Sequence, residues 1–172
     1  MDPSHSVTVR QSEIAPERRR PLSFLRKVAL TTLKLAPCRE NAELCLTLTN
    51  DAGIQRLNAH YRGQDKPTDV LSFRLEDEQE SGFWLPEGMA RPLGDVIVSL
   101  DTVENQAAAS QNSVESELAW VICHGTLHLL GFDHQNDGQL QAMRERERTV
   151  LSALGIPRSW PELWSGARER LR

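Results

Sequence analysis

The amino-acid sequence predicts an α+β fold: a single domain in which a mixed sheet of roughly four strands packs against about five helices. Two observations support this prediction. The 172 residues are enough for one domain with a hydrophobic core and too few for two ordinary domains. Short segments with strand-like apolar patterns lie between longer segments in which apolar residues recur at helical spacing. Such a mixture of elements along one chain is typical of α+β and α/β domains.

Each element can be placed from its own pattern. Four segments have the apolar pattern of strands: residues 7–10, 43–49, 68–73 and 94–100. Five segments have the pattern of helices: residues 22–36, 50–61, 101–110, 113–130 and 138–154. Asn50 or Asp51, Asp101 and Ser113 are predicted to cap helix starts, and Gly131 is predicted to end the fourth helix.

Several segments are expected to lie outside the core. Residues 76–92 are acidic and contain two glycines and two prolines, which predicts a surface loop. In the last helix, Glu145 and Glu147 alternate with arginines, which predicts a solvated helix face. The main domain is predicted to cover residues 22–156, between a partly flexible N-terminal segment (1–21) and a C-terminal tail (157–172). The three arginines at positions 18–20 are interpreted as a flexible basic stretch rather than a site.

Composition narrows the classes of function. A net charge of −4 and a pI of about 5.7 argue against nonspecific binding of nucleic acid, which depends on neutralising many phosphates. An RNA substrate would therefore need a local basic patch. No apolar run is long enough for a membrane span, and the N-terminus lacks the pattern of a secretory signal. Three irregularly spaced cysteines suit a reducing compartment better than a disulfide framework. The predicted location is the cytoplasm.

The segment HGTLHLLGFDH, residues 124–134, predicts a metal site. His124 and His128 are four residues apart, so on a helix both rings leave the same face. Gly131 can turn the chain back, so that His134 arrives as a third ligand. Three imidazoles leave one position open for water, which indicates one catalytic Zn²⁺ ion per chain. A closed site with a fourth ligand is the rival, but Cys123 points away around the helix and is expected in the core.

The spacing HxxxHxxGxxH equals that of the metzincin proteases, with one difference that bears on chemistry. Those enzymes carry Glu directly after the first histidine as the general base, and this chain has Gly125 there. A glycine cannot accept a proton from water. Peptidase activity is therefore not favoured, and the activating group has to be the metal or another residue.

Three sequence blocks resemble the YbeY family of endoribonucleases, also described as rRNA maturation factors. They are LNAHYRGQDKPTDVLSF (57–73), LGDVIVS (93–99) and HGTLHLLGFDH (124–134), followed by MRERERTVLSALG (143–155). The resemblance implies a zinc-containing α+β fold, cleavage of single-stranded RNA, and roles in the maturation of ribosomal RNA ends and in ribosome quality control. It also implies ribosomal RNA as a partner, with a ribosomal protein or ribosome-associated factor as a further candidate partner.

The same resemblance assigns roles to particular residues. The family's metal-binding histidines match His124, His128 and His134, and its functionally important arginine matches Arg62. Two positions depart from the common pattern: Trp120 stands where the family often has His, and Phe132 where it often has Tyr. An auxiliary imidazole and a hydroxyl are therefore missing, and neither can be essential in an active protein.

Arg62 and His124 are the predicted catalytic residues, and Arg62 has the fork geometry that suits a phosphate. Other polar residues are weaker candidates. Further basic residues that could extend the substrate-binding strip are Lys66, Arg56 and Arg74. Asp133 could orient His134, accept a proton or cap its own loop. Carboxylates are disfavoured in strands, so the remaining acidic candidates are Asp69 and Asp95.

The leading hypothesis is a single-strand-specific, metal-dependent endoribonuclease acting on ribosomal RNA, in which Arg62 binds a phosphate and the metal polarises a phosphoryl oxygen or activates water. The attacking group remains open between water and the 2′-hydroxyl of the RNA. A second hypothesis is a ribosome-assembly factor whose metal is mainly structural. A third is a metal-dependent hydrolase of another substrate.

Overall fold

Four strands form one mixed sheet in the order β1-β2-β4-β3. The computed structural model describes residues 4–38, 41–75 and 88–160. The strands in chain order are β1 (Ser6–Gln11), β2 (Ala42–Thr49), β3 (Val70–Arg74) and β4 (Arg91–Ser99). β1 and β4 both pair with β2 in parallel, and β3 pairs with β4 in antiparallel orientation. β3 is therefore an edge strand in the described part of the chain.

Five α-helices accompany the sheet in the described residues. They are α1 (Leu22–Leu35), α2 (Asp51–Arg62), α3 (Leu100–Ser110), α4 (Val114–Leu129) and α5 (Asp137–Ala153). A short 3-10 helix at Pro16–Arg18 precedes α1. The predicted α+β fold, with a four-stranded mixed sheet and five helices, is confirmed. None of the described helices is both long and apolar enough to cross a membrane.

Helix α4 lies at the centre of the molecule. Its sequence is apolar on nearly all sides, and its residues from Ser116 to Leu127 are buried. It contacts α1, α3, α5, β3 and β4. A helix that is hydrophobic all round has to be enclosed by other elements. The two histidines near its C-terminal end are therefore held on a rigid support.

The alternation of β3 decides which side chains face α4. Ser72 Oγ donates a hydrogen bond of 3.0 Å to the carbonyl oxygen of Gly125 in α4, so Ser72 faces that helix. Val70 and Arg74 share its face because side chains two apart in a strand point the same way. Phe73 points to the opposite face, where its ring contacts Tyr61 at the end of α2. The side chains of β3 therefore form two sets: one faces α4, and the other faces the end of α2.

The N-terminal region differs from the prediction of a flexible arginine stretch. Arg18 contacts Asp101 and Glu104, each at 2.7 Å, and Arg20 contacts Glu104 at 2.9 Å. These ion pairs fix the segment against α3. Asp101 also accepts a hydrogen bond from the backbone N–H of Asp51. The helix α3 begins at Leu100, so Asp101 already lies in its first turn. The cap is Ser99, whose side chain accepts a hydrogen bond from the N–H of Thr102, and the predicted cap at Asp101 is wrong.

Two further boundaries differ from the sequence pattern. β4 begins at Arg91, so the last two residues of the predicted 76–92 loop belong to a strand; residues 76–87 lie outside the described part of the chain. Pairing with β2 across a register shift admits Pro92 near the strand's start. At the other end, Arg158 forms an ion pair with Glu117, and both side chains are almost fully buried. The domain boundaries at residues 22 and 156 stay predictions.

Candidate metal site and cavity

Three histidine rings meet at the C-terminal end of α4. The Nε2 atoms of His124 and His128, one helical turn apart, are 3.1 Å from each other. The ring of His134 stacks at 5.5 Å on that of His124 and lies edge-on at 5.1 Å to that of His128. One nitrogen from each ring lies within 4.8 Å of the others. The structure therefore brings together the three residues that the sequence spacing predicts as metal ligands.

A tight helix end delivers the third histidine. Gly131 adopts a left-handed conformation with φ of 88°, and its N–H donates to the carbonyl of His128 at 3.0 Å. The N–H of Phe132 donates to the carbonyl of Leu127 at 3.1 Å. These two bonds form a Schellman motif, which favours glycine at this position. They reverse the chain directly after α4, so that His134 faces the two helical histidines.

The residues around this turn have structural tasks. Phe132 packs against a small apolar cluster formed by Ala36, Cys123, Leu127, Met143 and Val150. Asp133 Oδ1 accepts a hydrogen bond of 2.8 Å from the backbone N–H of His134. Of the three roles predicted for Asp133, this contact corresponds to the capping of its own loop. The cap fixes the backbone from which the His134 ring extends.

Glu147 is the residue of this site that sequence reasoning missed. Its carboxylate Oε1 lies 2.7 Å from Nδ1 of His124, and both side chains are buried. The prediction that Glu147 lies on a solvated face is therefore wrong, whereas Glu145 is exposed. Glu147 lies at helical spacing from apolar residues of the same helix, and this spacing is the sequence signal that could have predicted its burial. The buried positions of α5 are Met143, Glu147, Val150 and Leu151.

The Glu147 contact selects one form of the His124 ring. A carboxylate accepts hydrogen bonds, so the Nδ1 of His124 carries the proton and the Nε2 lone pair is left for a ligand. A second ring nitrogen that donates to a carboxylate is a recurrent feature of histidine metal ligands. The orientation agrees with this assignment, because the His124 Nε2 faces the Nε2 of His128.

Burial affects the pKa of two neighbouring groups. Burial, followed by the nearby rings of His124 and His134, lowers the pKa of His128 to about 4. His128 is therefore neutral near pH 7 and has a free lone pair. Burial, and then the carboxylate of Glu147, raises the pKa of the Cys123 thiol. Cys123 is an unreactive part of the core, as the sequence pattern predicts.

The donor set fits a divalent ion. Tetrahedral Zn²⁺ with bonds of 2.0–2.1 Å to imidazole places two ligand nitrogens about 3.3 Å apart, and the His124–His128 separation is 3.1 Å. Within the described residues, the cluster contains three histidines and no fourth side chain from Cys, Asp or Glu. Three protein ligands with an open position are typical of catalytic rather than structural zinc sites.

A cavity of about 290 Å³ opens beside the three histidines. Two arginines from different elements reach it: Arg62 from the end of α2 and Arg74 from the edge strand β3. The remaining lining residues are Val70, Ser72, His124, His128, Asp133 and His134. Three histidines that could hold a metal ion and two arginines thus line one cavity, which suits an anionic ligand such as a phosphodiester.

The two arginines differ in their surroundings. Arg62 is exposed, and its side chain makes no hydrogen bond or ion pair with any residue that the structure describes. Gly63 follows in a left-handed conformation and ends α2, so the Arg62 side chain leaves the helix at its last turn. The Arg74 guanidinium lies close to Gly131, at the turn that carries the third histidine. Arg62 is therefore available to a ligand without first breaking an internal contact.

The other predicted polar candidates lie elsewhere. Arg56 contacts Glu13 at 2.5 Å, and neither Arg56 nor Lys66 is among the cavity-lining residues. Asp69 is buried and accepts hydrogen bonds from Val70 N–H and from the side chains of Thr68 and Gln106, which is a structural arrangement at the start of β3. Asp95 is exposed on β4, opposite Phe73. The cavity geometry favours Arg62 and Arg74 as its basic residues.

Gly125 has a packing role that explains the absence of a carboxylate there. A Cβ at Gly125 would lie 2.8 Å from Cγ1 of Val96 and 2.9 Å from Cγ2 of Val70. Real side chains do not approach so closely, and β-branched valines adjust poorly. Helix α4 therefore contacts the sheet at this position, and a glutamate of the metzincin type does not fit.

Trp120 forms a wall of the histidine cluster. Its ring is buried and lies 5.5 Å from that of His124. The guanidinium of Arg158 lies over the Trp120 ring, 4.3 Å from its centroid. Trp120 thus supports the His124 ring through packing at the position where the family often has His.

The fold and the site together define an α+β protein with a three-histidine site that opens onto a basic cavity. A model of the family described as Endoribonuclease YbeY matches residues 6–155. The chain belongs to this family.

Two relatives support the family assignment, and one solved structure has a similar fold. Over 124 residues the chain is 44% identical to the Endoribonuclease YbeY of Heliobacterium modesticaldum, covering 70% of this chain and 75% of the relative. It is 47% identical over 118 residues to that of Azorhizobium caulinodans, covering 68% and 70%. The solution structure of a Thermotoga maritima protein is similar with a TM-score of 0.54 and 25% identity, covering 87% of this chain and 92% of that one.

Proposed function

We propose that this protein is a zinc-dependent endoribonuclease that cleaves single-stranded segments of ribosomal RNA during their maturation and during ribosome quality control. The observation that carries the proposal is the convergence of three histidine nitrogens and two arginines on one cavity. A metal ion and guanidinium groups are the parts that enzymes use to stabilise charge on a reacting phosphodiester. Family membership supports RNA as the substrate.

Each lining residue has a proposed task. A zinc ion bound by the three histidines would supply positive charge beside the phosphoryl oxygens. Arg62 holds the phosphodiester by charge-assisted hydrogen bonds, and its exposed position at the end of α2 allows this. Arg74, which reaches the same cavity from β3, supplies a second guanidinium. Glu147 acts as a positioning residue that holds the Nδ1 proton of His124.

The identity of the attacking group decides the product. With glycine at position 125, no carboxylate follows His124 to accept a proton from water. If water attacks, the cut leaves a linear phosphate on one RNA end; if the 2′-hydroxyl attacks, the cut leaves a cyclic phosphate. End-group analysis of the products separates these two routes.

The test is cleavage of one defined RNA in single-stranded form and in a duplex with its complement. Metal-loaded wild type is expected to cut the single strand, and both a chelated sample and His124→Ala are expected to be inactive. Cleavage that is unchanged in His124→Ala would contradict the proposal. Equal cleavage of the duplex would contradict its single-strand preference.

The alternative of an assembly factor with a structural metal is less well supported by the geometry. A structural zinc site is usually closed by four protein ligands, and only three are present among the described residues. The proposed setting is nevertheless the ribosome in the cytoplasm. Because the chain is acidic, a ribosomal protein or ribosome-associated factor is proposed to assist its delivery to the RNA.

A further inference from the structure

An exposed aromatic surface lies next to the basic cavity. Tyr61 is 63% exposed, which is unusual for a large aromatic side chain. Its ring lies 5.0 Å from that of Phe73, with the planes inclined at 59°. The ring of His60 meets the Tyr61 ring edge-on at 4.6 Å. We name these three side chains the aromatic patch.

Two residues of the aromatic patch are sequence neighbours of the two arginines that line the cavity. Tyr61 directly precedes Arg62 at the end of α2, and Phe73 directly precedes Arg74 in β3. Both arginines line the cavity. Consecutive residues in a strand point to opposite faces, so Phe73 and Arg74 lie on opposite sides of the sheet's edge strand. A chain that crosses this edge can touch an arginine on one side and an aromatic ring on the other.

The charges on the two sides of β3 differ, so one side suits the phosphate of a nucleotide and the other suits its base. The cavity side carries the guanidinium groups of Arg62 and Arg74, which attract phosphates. On the other side the carboxylate of Asp95 lies directly across the strand pair from Phe73 and is exposed. A carboxylate repels phosphate but tolerates an uncharged base. The aromatic side therefore suits a nucleobase rather than the backbone.

We propose, on the basis of the proposed function, that the aromatic patch is a stacking platform for a nucleobase next to the phosphate held at Arg62. Aromatic rings bind bases through their flat faces with little dependence on sequence. Contacts with His60 and Phe73 hold the Tyr61 ring before RNA arrives, which reduces the entropy lost on binding. A base held on this platform has left its own stack, so the platform selects single strands over duplex RNA.

The test distinguishes three possible contributions of Tyr61 to RNA binding: its aromatic face, its hydroxyl group and its apolar area. The variants are Tyr61→Ala, Tyr61→Leu and Tyr61→Phe, with Leu22→Ala as a control that removes another exposed apolar side chain, 45% exposed at the start of α1. Single-turnover cleavage of a labelled single-stranded RNA gives the half-saturating enzyme concentration and the maximal rate. Fluorescence anisotropy of the same RNA, read before cleavage has progressed, gives binding separately.

The platform predicts a loss of binding rather than of chemistry. Stacking on one aromatic side chain contributes about 1–3 kcal/mol, so Tyr61→Ala should raise the half-saturating concentration roughly 5- to 150-fold. Its maximal rate should stay within about twofold of wild type. Tyr61→Leu should behave like Tyr61→Ala, and both Tyr61→Phe and Leu22→Ala should resemble wild type. An abasic substitution at one position of the RNA should abolish the difference between Tyr61→Ala and wild type.

Two outcomes would overturn the platform. If Tyr61→Ala binds RNA as tightly as wild type, the exposed ring serves another purpose, such as contact with a protein. If Tyr61→Leu binds like wild type, apolar area rather than an aromatic face is what matters. Failure of the proposed function is a different result, because then wild type itself would not cleave the RNA while anisotropy would still report on the platform.

Discussion

The carboxylate of Glu147 lies 2.7 Å from Nδ1 of His124, and this contact joins α5 to the face of α4 that carries His124 and His128. Both side chains are almost fully buried, so the contact is shielded from water. It fixes the His124 tautomer and directs the Nε2 of that ring toward His128. The candidate metal site therefore extends beyond its three ligands to a fourth residue on a separate helix.

Glu147→Ala is expected to weaken zinc binding by about 10- to 100-fold, because outer partners of metal-ligating histidines typically contribute this much. Glu147→Gln should lose less, since its amide oxygen can still accept the Nδ1 proton. The measurement is competition for zinc with a chromophoric chelator. The matched control is Glu145→Gln, an exposed neighbour on α5. Equal zinc affinity for wild type and Glu147→Ala would show that the contact has no effect on the metal.

Elemental analysis should find about one divalent ion per chain, with zinc as the expected metal. His128→Ala removes one of three ligands and should lower the metal content strongly. His60→Ala is the matched control, because that histidine is exposed on α2 and is not part of the histidine cluster. Full metal content in His128→Ala would refute the assignment of the ligands.

Arg62→Ala is expected to slow single-turnover RNA cleavage by about thirty- to a thousandfold, which corresponds to a loss of about 2–4 kcal/mol. The melting temperature should hardly change, because the side chain is exposed and makes no hydrogen bond to the described residues. Arg62→Lys should recover part of the rate, since a point charge attracts phosphate without the planar fork.

The control for Arg62 is Arg56→Ala on the same helix, where the guanidinium contacts Glu13 rather than the cavity. It should cleave RNA at nearly the wild-type rate. If Arg56→Ala and Arg62→Ala were equally impaired, general attraction by basic charge, rather than a phosphate contact at Arg62, would be the better account.

Gly125→Ala is expected to destabilise the fold by about 1–3 kcal/mol, because the new methyl would overlap Val96 and Val70 in a packed interface. Urea unfolding measures this difference. Gly138→Ala in α5 is the control: its nearest neighbour would lie at 3.5 Å, so it should be neutral or stabilising by up to about 1 kcal/mol. Equal stability of Gly125→Ala and wild type would show that α4 can move away from the sheet.

Local spacing was enough to predict the three histidines and the turn that joins them. His124 and His128 are one helical turn apart, and Gly131 is followed closely by His134, so no distant contact was needed. The same reasoning explains the correct placement of the helices, whose apolar periods are local properties. Arg62 depended on the family resemblance, since an exposed arginine has no distinguishing local pattern.

Features that depend on tertiary packing could not be predicted in this way. Glu147 stands in a run of alternating charges that indicates solvent. Its helical spacing from Met143 and Val150 marks it as buried, but only the packing of α5 against α4 identifies His124 as its partner. Arg18 and Arg20 meet partners more than eighty residues away in the chain. Tyr61 and Phe73 meet only because the end of α2 lies against the edge strand. In each case the decisive contact joins distant parts of the sequence.

The most direct test of the central claim is a metal titration of RNA cleavage. Chelated protein is mixed with a single-stranded RNA, and zinc is added in steps while the initial rate is measured for wild type and for His134→Ala. Wild-type activity is expected to rise from zero and to saturate at about one ion per chain, whereas His134→Ala should stay inactive at the same zinc concentrations. Cleavage by metal-free wild type at the full rate would contradict the claim that a metal held by the three histidines drives the reaction.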